Sequence, residues 1–255
     1  MTFSSARSGL LIRAALCFLL VLTFRASARA TIQYTVFLDH PERHLFHVTM
    51  TIPDVPGEVT VRMAAWNALY QIRDFSSHLQ QVEAMAGSQK VFVEKMDKQT
   101  WRVKGTGTIK ISYATYWDEI GPFASQLNSE HAFINPAMIL MYVPERRGEA
   151  VHFVMPDVPL EWQATGASIQ STESMGRART VGGDAANYDA LADAPIEAGK
   201  FEMFQLSGIK PEIWVVVHGD NWSKKQVEED LRRICKYELK LMDGAPFERY
   251  MFILH

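Results

Sequence analysis

Every second residue from Ile32 to Leu38 is apolar (Ile32, Tyr34, Val36, Leu38), and the alternation resumes at Phe46, Val48, Met50 and Ile52. A period of two places these side chains on one face of a strand, whereas a helix would scatter them around its axis. The opening of the folded chain is thereby committed to half-buried β-strands, joined by a hairpin connection through His40. Asp54-Val55-Pro56-Gly57 carries turn chemistry and is expected to reverse the chain into a strand bearing Val59, Val61 and Met63. Further strands are expected at 91–94, 100–103, 109–116, 138–143 and 151–155. With few helical patterns until late, the fold class is mainly β, an antiparallel sandwich or curved sheet.

Between 168 and 184 the composition turns to Ser, Thr, Gly and Arg, which predicts an irregular connection. A short helix stopped by Pro195 and a strand at 201–206 follow. The last segment changes character: Ile213 to Val217 is apolar throughout, as in a strand covered on both faces. Ser223-Lys224-Lys225-Gln226 has the form of a capping box, and Val227, Leu231, Ile234 and Leu241 continue at helical spacing. Glu228 with Arg232 and Glu229 with Arg233 are expected to pair on its wet face, and Gly244 and Pro246 to end it. A second apolar strand at 250–254 completes a strand-helix-strand unit of the kind that begins an α/β domain.

Residues 1–30 have the layout of a signal peptide. Arg7 and Arg13 precede an apolar stretch at 14–24, too short to span a bilayer, and Ala28-Arg29-Ala30 offers a small-x-small cleavage site. N-terminal sequencing of the exported product is expected to begin at Thr31; a retained leader would contradict this. The expected location is therefore secreted or periplasmic, with no membrane attachment after cleavage. Residues 31–255 carry 22 Lys and Arg against 29 Asp and Glu, a net charge of −7, and no basic stripe, which argues against nucleic acid. Cys235 is the single cysteine left after cleavage, so no internal disulfide is expected.

Few groupings suggest chemistry. His40-Pro41-Glu42-Arg43-His44 places two histidines four apart, but Glu42 is misplaced for a His-Glu-x-x-His zinc helix and Pro41 makes the segment a loop. Asp189, Asp193 and Glu197 recur every four residues, yet Pro195 interrupts the helix that would align them, which favours capping and turn roles. Gly105 and Gly107 precede a strand, not the helix of a dinucleotide site, and Cys235 falls on the apolar side of the late helix. The aromatic stretch 66–75, with Trp66, Tyr70 and Phe75, anchors a crossover or forms a binding loop.

Taken in order, His44-x-Phe46-x-Val48, the 66–75 stretch, His131-Ala-Phe-Ile-Asn135, Trp162-Gln-Ala-Thr-Gly166, the block from Tyr188 to Phe201 and Pro246-Phe-Glu-Arg-Tyr-Met-Phe-Ile-Leu-His255 resemble the glycyl aminopeptidases, peptidase family sixty-one of the thermolysin-like gluzincins. The resemblance implies a β-rich N-terminal domain at 31–208 and an incomplete beginning of a metallopeptidase catalytic domain at 209–255. It implies that the zinc-binding His-Glu-x-x-His helix lies beyond the segment matched by 250–255, so that the chain is truncated before it. No ligand or catalytic residue carries over, no cofactor is expected in this chain although the full-length family uses zinc, and no activity is expected of it alone. Asn135 is the one residue the resemblance marks as a substrate-side contact. The partners expected are a peptide or the missing catalytic portion, with self-association through the strand at 250–254. The alternative is a free-standing secreted β-domain that binds peptides or a protein.

Overall fold

The computed structural model describes residues 31–66, 71–175 and 178–255. The leader at 1–30 and positions 67–70 of the aromatic stretch, Tyr70 among them, lie outside these.

Strands β1 (Ile32–Phe37) and β2 (Leu45–Met63) pair antiparallel, joined by a 3-10 turn at Pro41–Arg43. All eight residues of the opening alternation are buried. The segment at 54–57 differs from its expected turn: β2 runs through it. A bulge between Ile52 and Val55 takes up Pro53 and Asp54, the latter at φ 56°, and Pro56 and Gly57 continue in register with β6. β3 (Leu79–Ala86), β4 (Gln89–Val91), β5 (Val93–Lys95) and β6 (Thr100–Tyr116) follow. β6 unites two expected strands, and its Gly105 and Gly107 face Gly57 and Val55 across the ladder. Gly107, at φ 85°, takes a conformation other residues resist.

β7 (Gln126–Leu127), β8 (His131–Ile134), the short helix α1 (Pro136–Ile139) and β9 (Met141–Tyr142) come next. The strand expected at 138–143 is shortened to β9, because Pro136 at the first helical position starts a helical turn that takes Met138 and Ile139. Hydroxyls of Tyr113 and Tyr188 donate to the carbonyls of Ile139 and Leu140 just after this turn, both at 2.9 Å. β10 (Val151–Pro159), β11 (Gln163–Gly166), β12 (Ser171–Met175) and β13 (Ala178–Ala185) then form, so 168–184 holds a strand pair and not an irregular connection. Its glycines permit close approach: a Cβ on Gly183 would lie 2.2 Å from the Ser168 carbonyl oxygen.

Helix α2 (Tyr188–Ala192) is capped by Asn187, which accepts from the Ala190 amide at 2.8 Å, and leads into β14 (Ile196–Gly199). Among the described residues, a ten-stranded sheet runs β12-β13-β10-β1-β2-β6-β3-β4, with β5 on β6 and β9 on β2, and a four-stranded sheet runs β11-β14-β8-β7. One core joins them, from Tyr34, Phe46 and Phe153 of the large sheet to Ile134, Ile196 and Ala198 of the small one. This is the expected sandwich, with one parallel pair, β1 and β10, inside it.

A three-stranded sheet closes the chain: β15 (Glu202–Gln205), β16 (Glu212–Val217) and β17 (Arg249–Leu254), β16 and β17 being parallel across helix α3 (Lys224–Leu241). Its own core gathers Phe204, Leu206, Ile213, Val215, Val217 and Cys235. Ser223 caps α3 as expected, but Gln226 donates to Asp230 instead of returning the bond, and Arg233 pairs with Asp230 instead of Glu229. Glu228 and Arg232 do pair, at 2.6 Å. Among the described residues, no helix is long and apolar enough to cross a membrane.

Candidate functional site

The side chains that converge most closely lie where the four-stranded sheet meets the ends of the tail sheet. In β8, Ala132 and Ile134 point into the sandwich core, so His131 and Phe133 must point out of the opposite face. The same alternation in β14 sends Ile196 and Ala198 to the core and Glu197 outward. The register pairs Phe133 with Glu197 and His131 with Gly199, making His131 and Glu197 diagonal neighbours. Their atoms Nδ1 and Oε1 are 2.9 Å apart.

The tail supplies two more imidazoles. Val217 of β16 is in register with Leu254 of β17, so the next residues, His218 and His255, emerge side by side from the C-terminal ends of two parallel strands. The His218 amide donates to the Leu254 carbonyl at 3.0 Å, and the two rings stack with centroids 4.9 Å apart. His218 Nε2 stands 3.0 Å from Glu197 Oε1, and His255 Nε2 stands 3.1 Å from Oε2. One donor atom from each of His131, Glu197, His218 and His255 lies within 4.8 Å of all the others.

Glu197 is wholly inaccessible to solvent. Its removal from water pushes the carboxyl pKa up, but the imidazoles of His131, His218 and His255 more than offset this and hold it down at about 2. The three histidines, but not the carboxylate behind them, line a cavity of about 630 Å³, together with Asn128, Glu130 and Lys200. Such a donor set can hold a cation: a dication is compatible with three neutral imidazoles and one carboxylate, and the cavity gives it a way in.

The expected role of Glu197 in capping or turning is corrected here, since it lies in a strand at the centre of this cluster. Of its helical-spacing companions, Asp189 accepts from Arg147 Nε at 2.6 Å and Asp193 is the C-terminal cap of α2. Asn135 is buried; its amide nitrogen contacts the Pro122 carbonyl at 3.5 Å and it does not line the cavity. His40 and His44 stay in a loop, the latter 2.7 Å from the Leu127 carbonyl. In the aromatic stretch, Phe75 is buried, Trp66 half exposed, and the Arg73 guanidinium stacks 4.3 Å over Phe123. The sequence does carry a trace of the cluster: Trp-Val-Val-Val-His218 and Met-Phe-Ile-Leu-His255 are both apolar strands that end on histidine.

A second feature lies on the tail sheet. Between α3 and β17 runs an apolar groove of about 330 Å³, lined by Ile213, Ile234, Leu239, Phe247, Tyr250 and Phe252. Among the described residues β17 pairs with β16 alone, so its other edge is free.

Comparison with known proteins places these features. The family described as Peptidase M61 N-terminal domain matches residues 33–200. Among solved structures, an aminopeptidase N family protein from Idiomarina loihiensis superposes with a TM-score of 0.77 at 23% identity, covering 87% of this chain and 38% of that one. Legionella pneumophila aminopeptidase A, solved with aspartic acid, superposes with a TM-score of 0.52 at 10% identity, covering 88% and 28%. These likenesses extend to the fold, and this chain spans well under two thirds of either structure. No curated protein matches the sequence.

Proposed function

The chain belongs to the peptidase M61 N-terminal domain family, and from that membership we propose that it is the non-catalytic docking portion of a zinc aminopeptidase-like protein. In this reading 31–208 is the β-rich domain, and 209–255 forms the seat for a thermolysin-like catalytic portion. The observation that carries it is the combination of a free parallel strand edge with an apolar groove beside it. Ile234, Phe247 and Tyr250 are each more than two fifths exposed there. Apolar surface next to unpaired strand amides favours association with another strand-bearing body. The greater length of the Idiomarina loihiensis structure supports a catalytic portion as the occupant.

In this reading the zinc and general base of a gluzincin, carried on a His-Glu-x-x-His helix, belong to the catalytic portion and not to residues 31–255. The leader features at 7–30 support an encounter outside the cytoplasm. The test is sedimentation of the chain mixed with the separately produced zinc-bearing portion of an M61 peptidase. A one-to-one complex is expected, lost when Tyr250 and Phe252 are both changed to lysine, with glycyl-p-nitroanilide turned over by the partner and never by this chain alone. A chelator-sensitive rate from the chain alone, or no complex, would refute the proposal.

A further inference from the structure

We propose that His131, Glu197, His218 and His255 form a structural binding site for one zinc-class divalent transition-metal ion, which fastens the tail sheet to the β-sandwich. This site is separate from the catalytic zinc of a peptidase partner and does not depend on the docking proposal above.

The first support is the hydrogen-bond state of His131. Asp118 can only accept, and Gln126 Nε2 donates to its Oδ1 at 3.0 Å; this turns the Gln126 carbonyl oxygen toward His131, 2.8 Å from Nε2. Nε2 must therefore carry the proton, and in a neutral ring Nδ1 then presents a lone pair. Nδ1 faces a carboxylate oxygen at 2.9 Å: a proton on it bridges the two atoms in the metal-free chain, and a metal ion that displaces the proton would be held by both. An outer carboxylate and amide that fix the tautomer of a buried imidazole are the usual support of a metal-ligating histidine.

The second is His218. Its Nε2 is buried and has no hydrogen-bond partner, although it lies 3.0 Å from Glu197 Oε1, because the direction is wrong for a hydrogen bond. A lone pair on this atom can meet the others at a shared point. Tetrahedral bonds of about 2.0–2.1 Å separate ligand atoms by roughly 3.3 Å. The spacings of 2.9 and 3.0 Å from Glu197 Oε1 to His131 and His218 need to open by a few tenths of an ångström, and the wider spacings of the set, all within 4.8 Å, need to close toward the same value.

Three imidazole nitrogens and one carboxylate oxygen select zinc-class ions over calcium and magnesium, which prefer all-oxygen shells. Four protein donors fill a tetrahedral shell, so the site is structural and not hydrolytic. The ligands come from both cores of the fold. His131 and Glu197 stand on the sandwich, and His218 and His255 follow the two parallel strands of the tail.

The test uses the full mature chain, stripped with chelator and then titrated with Zn²⁺ or Co²⁺ alone. One equivalent of Zn²⁺ is expected to bind and raise the thermal midpoint, and Co²⁺ to give the intense visible bands of a tetrahedral site. His255→Gln, at the rim of the fold, and His218→Gln are each expected to weaken zinc binding by more than about 100-fold, beyond what losing an outer partner costs. His152→Gln, an exposed histidine paired with Asp184, serves as the control and should change nothing. Failure to bind zinc with octahedral or absent Co²⁺ bands, or binding indifferent to the His218 and His255 changes, would overturn the proposal. The Co²⁺ spectrum of the unaltered chain decides the matter even if a variant fails to fold.

Discussion

Replacing Phe153 by alanine is expected to cost about 3–5 kcal/mol of unfolding free energy, the range for emptying a large aromatic site in a close-packed core. Phe153 is 1% exposed, in the strand that pairs in parallel with β1 and antiparallel with β13. Its cross-strand neighbours are Tyr34 on one side and Gly183 on the other. Gly183 has no side chain with which to refill the hole, and its backbone already touches that of Ser168, so collapse around the cavity is restricted. The contrasting change is Ile72→Ala: Ile72 is 86% exposed, and its loss should stay within about 0.5 kcal/mol. Equilibrium urea unfolding of residues 31–255 measures both. A loss at Phe153 of less than about 1 kcal/mol would mean that the large sheet is not packed as described.

Gly199→Ala is expected to give a second large effect, from one added methyl group. Gly199 lies opposite His131 in the β8–β14 ladder, and a Cβ there would stand 2.6 Å from His131 Cβ and 3.2 Å from the Glu130 carbonyl oxygen. Neither neighbour is the loose end of a flexible side chain. The strand bearing His131 must move, at a cost of about 1–3 kcal/mol for overpacking. Because the imidazole moves with its strand, zinc affinity is expected to fall by about 10- to 100-fold although all four ligands remain, as when a supporting contact is lost. Gly148→Ala is the control, since nothing lies within 4 Å of a Cβ at that position and its φ is ordinary. Thermal unfolding and zinc titration of the two variants side by side would expose an error in this register: equal behaviour would contradict it.

What could be read in the sequence was local. Periodicity alone identified which faces of β1 and β2 are buried, and the apolar runs with their capping serine delivered β16, α3 and β17 in order. The failures have long-range causes. Asp54-Val55-Pro56-Gly57 carries the residues of a turn, and only its pairing with a partner that offers Gly105 and Gly107 opposite carries it, past a bulge at Asp54, as continuous strand. Gly182 and Gly183 resembled loop composition because their use is to let two backbones approach. The donor cluster was missed for the same reason. Glu197 stands 66 residues from His131 and 58 from His255, so no spacing rule for a single helix or loop can join them.

The placement of His218 and His255 at the ends of adjacent parallel strands makes the cluster a proofreader of strand alignment. In the observed register, Leu254 pairs with Val217 and the following imidazole meets the Glu197 carboxylate. If β17 slipped by one residue along β16, every side chain would change face, and Leu254 would take the place of His255. An ionised carboxylate with no access to water would then sit against an alkyl group, a far costlier error than a mismatch between two apolar residues. The alternatives that a uniformly apolar strand such as Tyr250-Met251-Phe252-Ile253-Leu254 would otherwise tolerate are thus told apart by a single charge buried in another sheet.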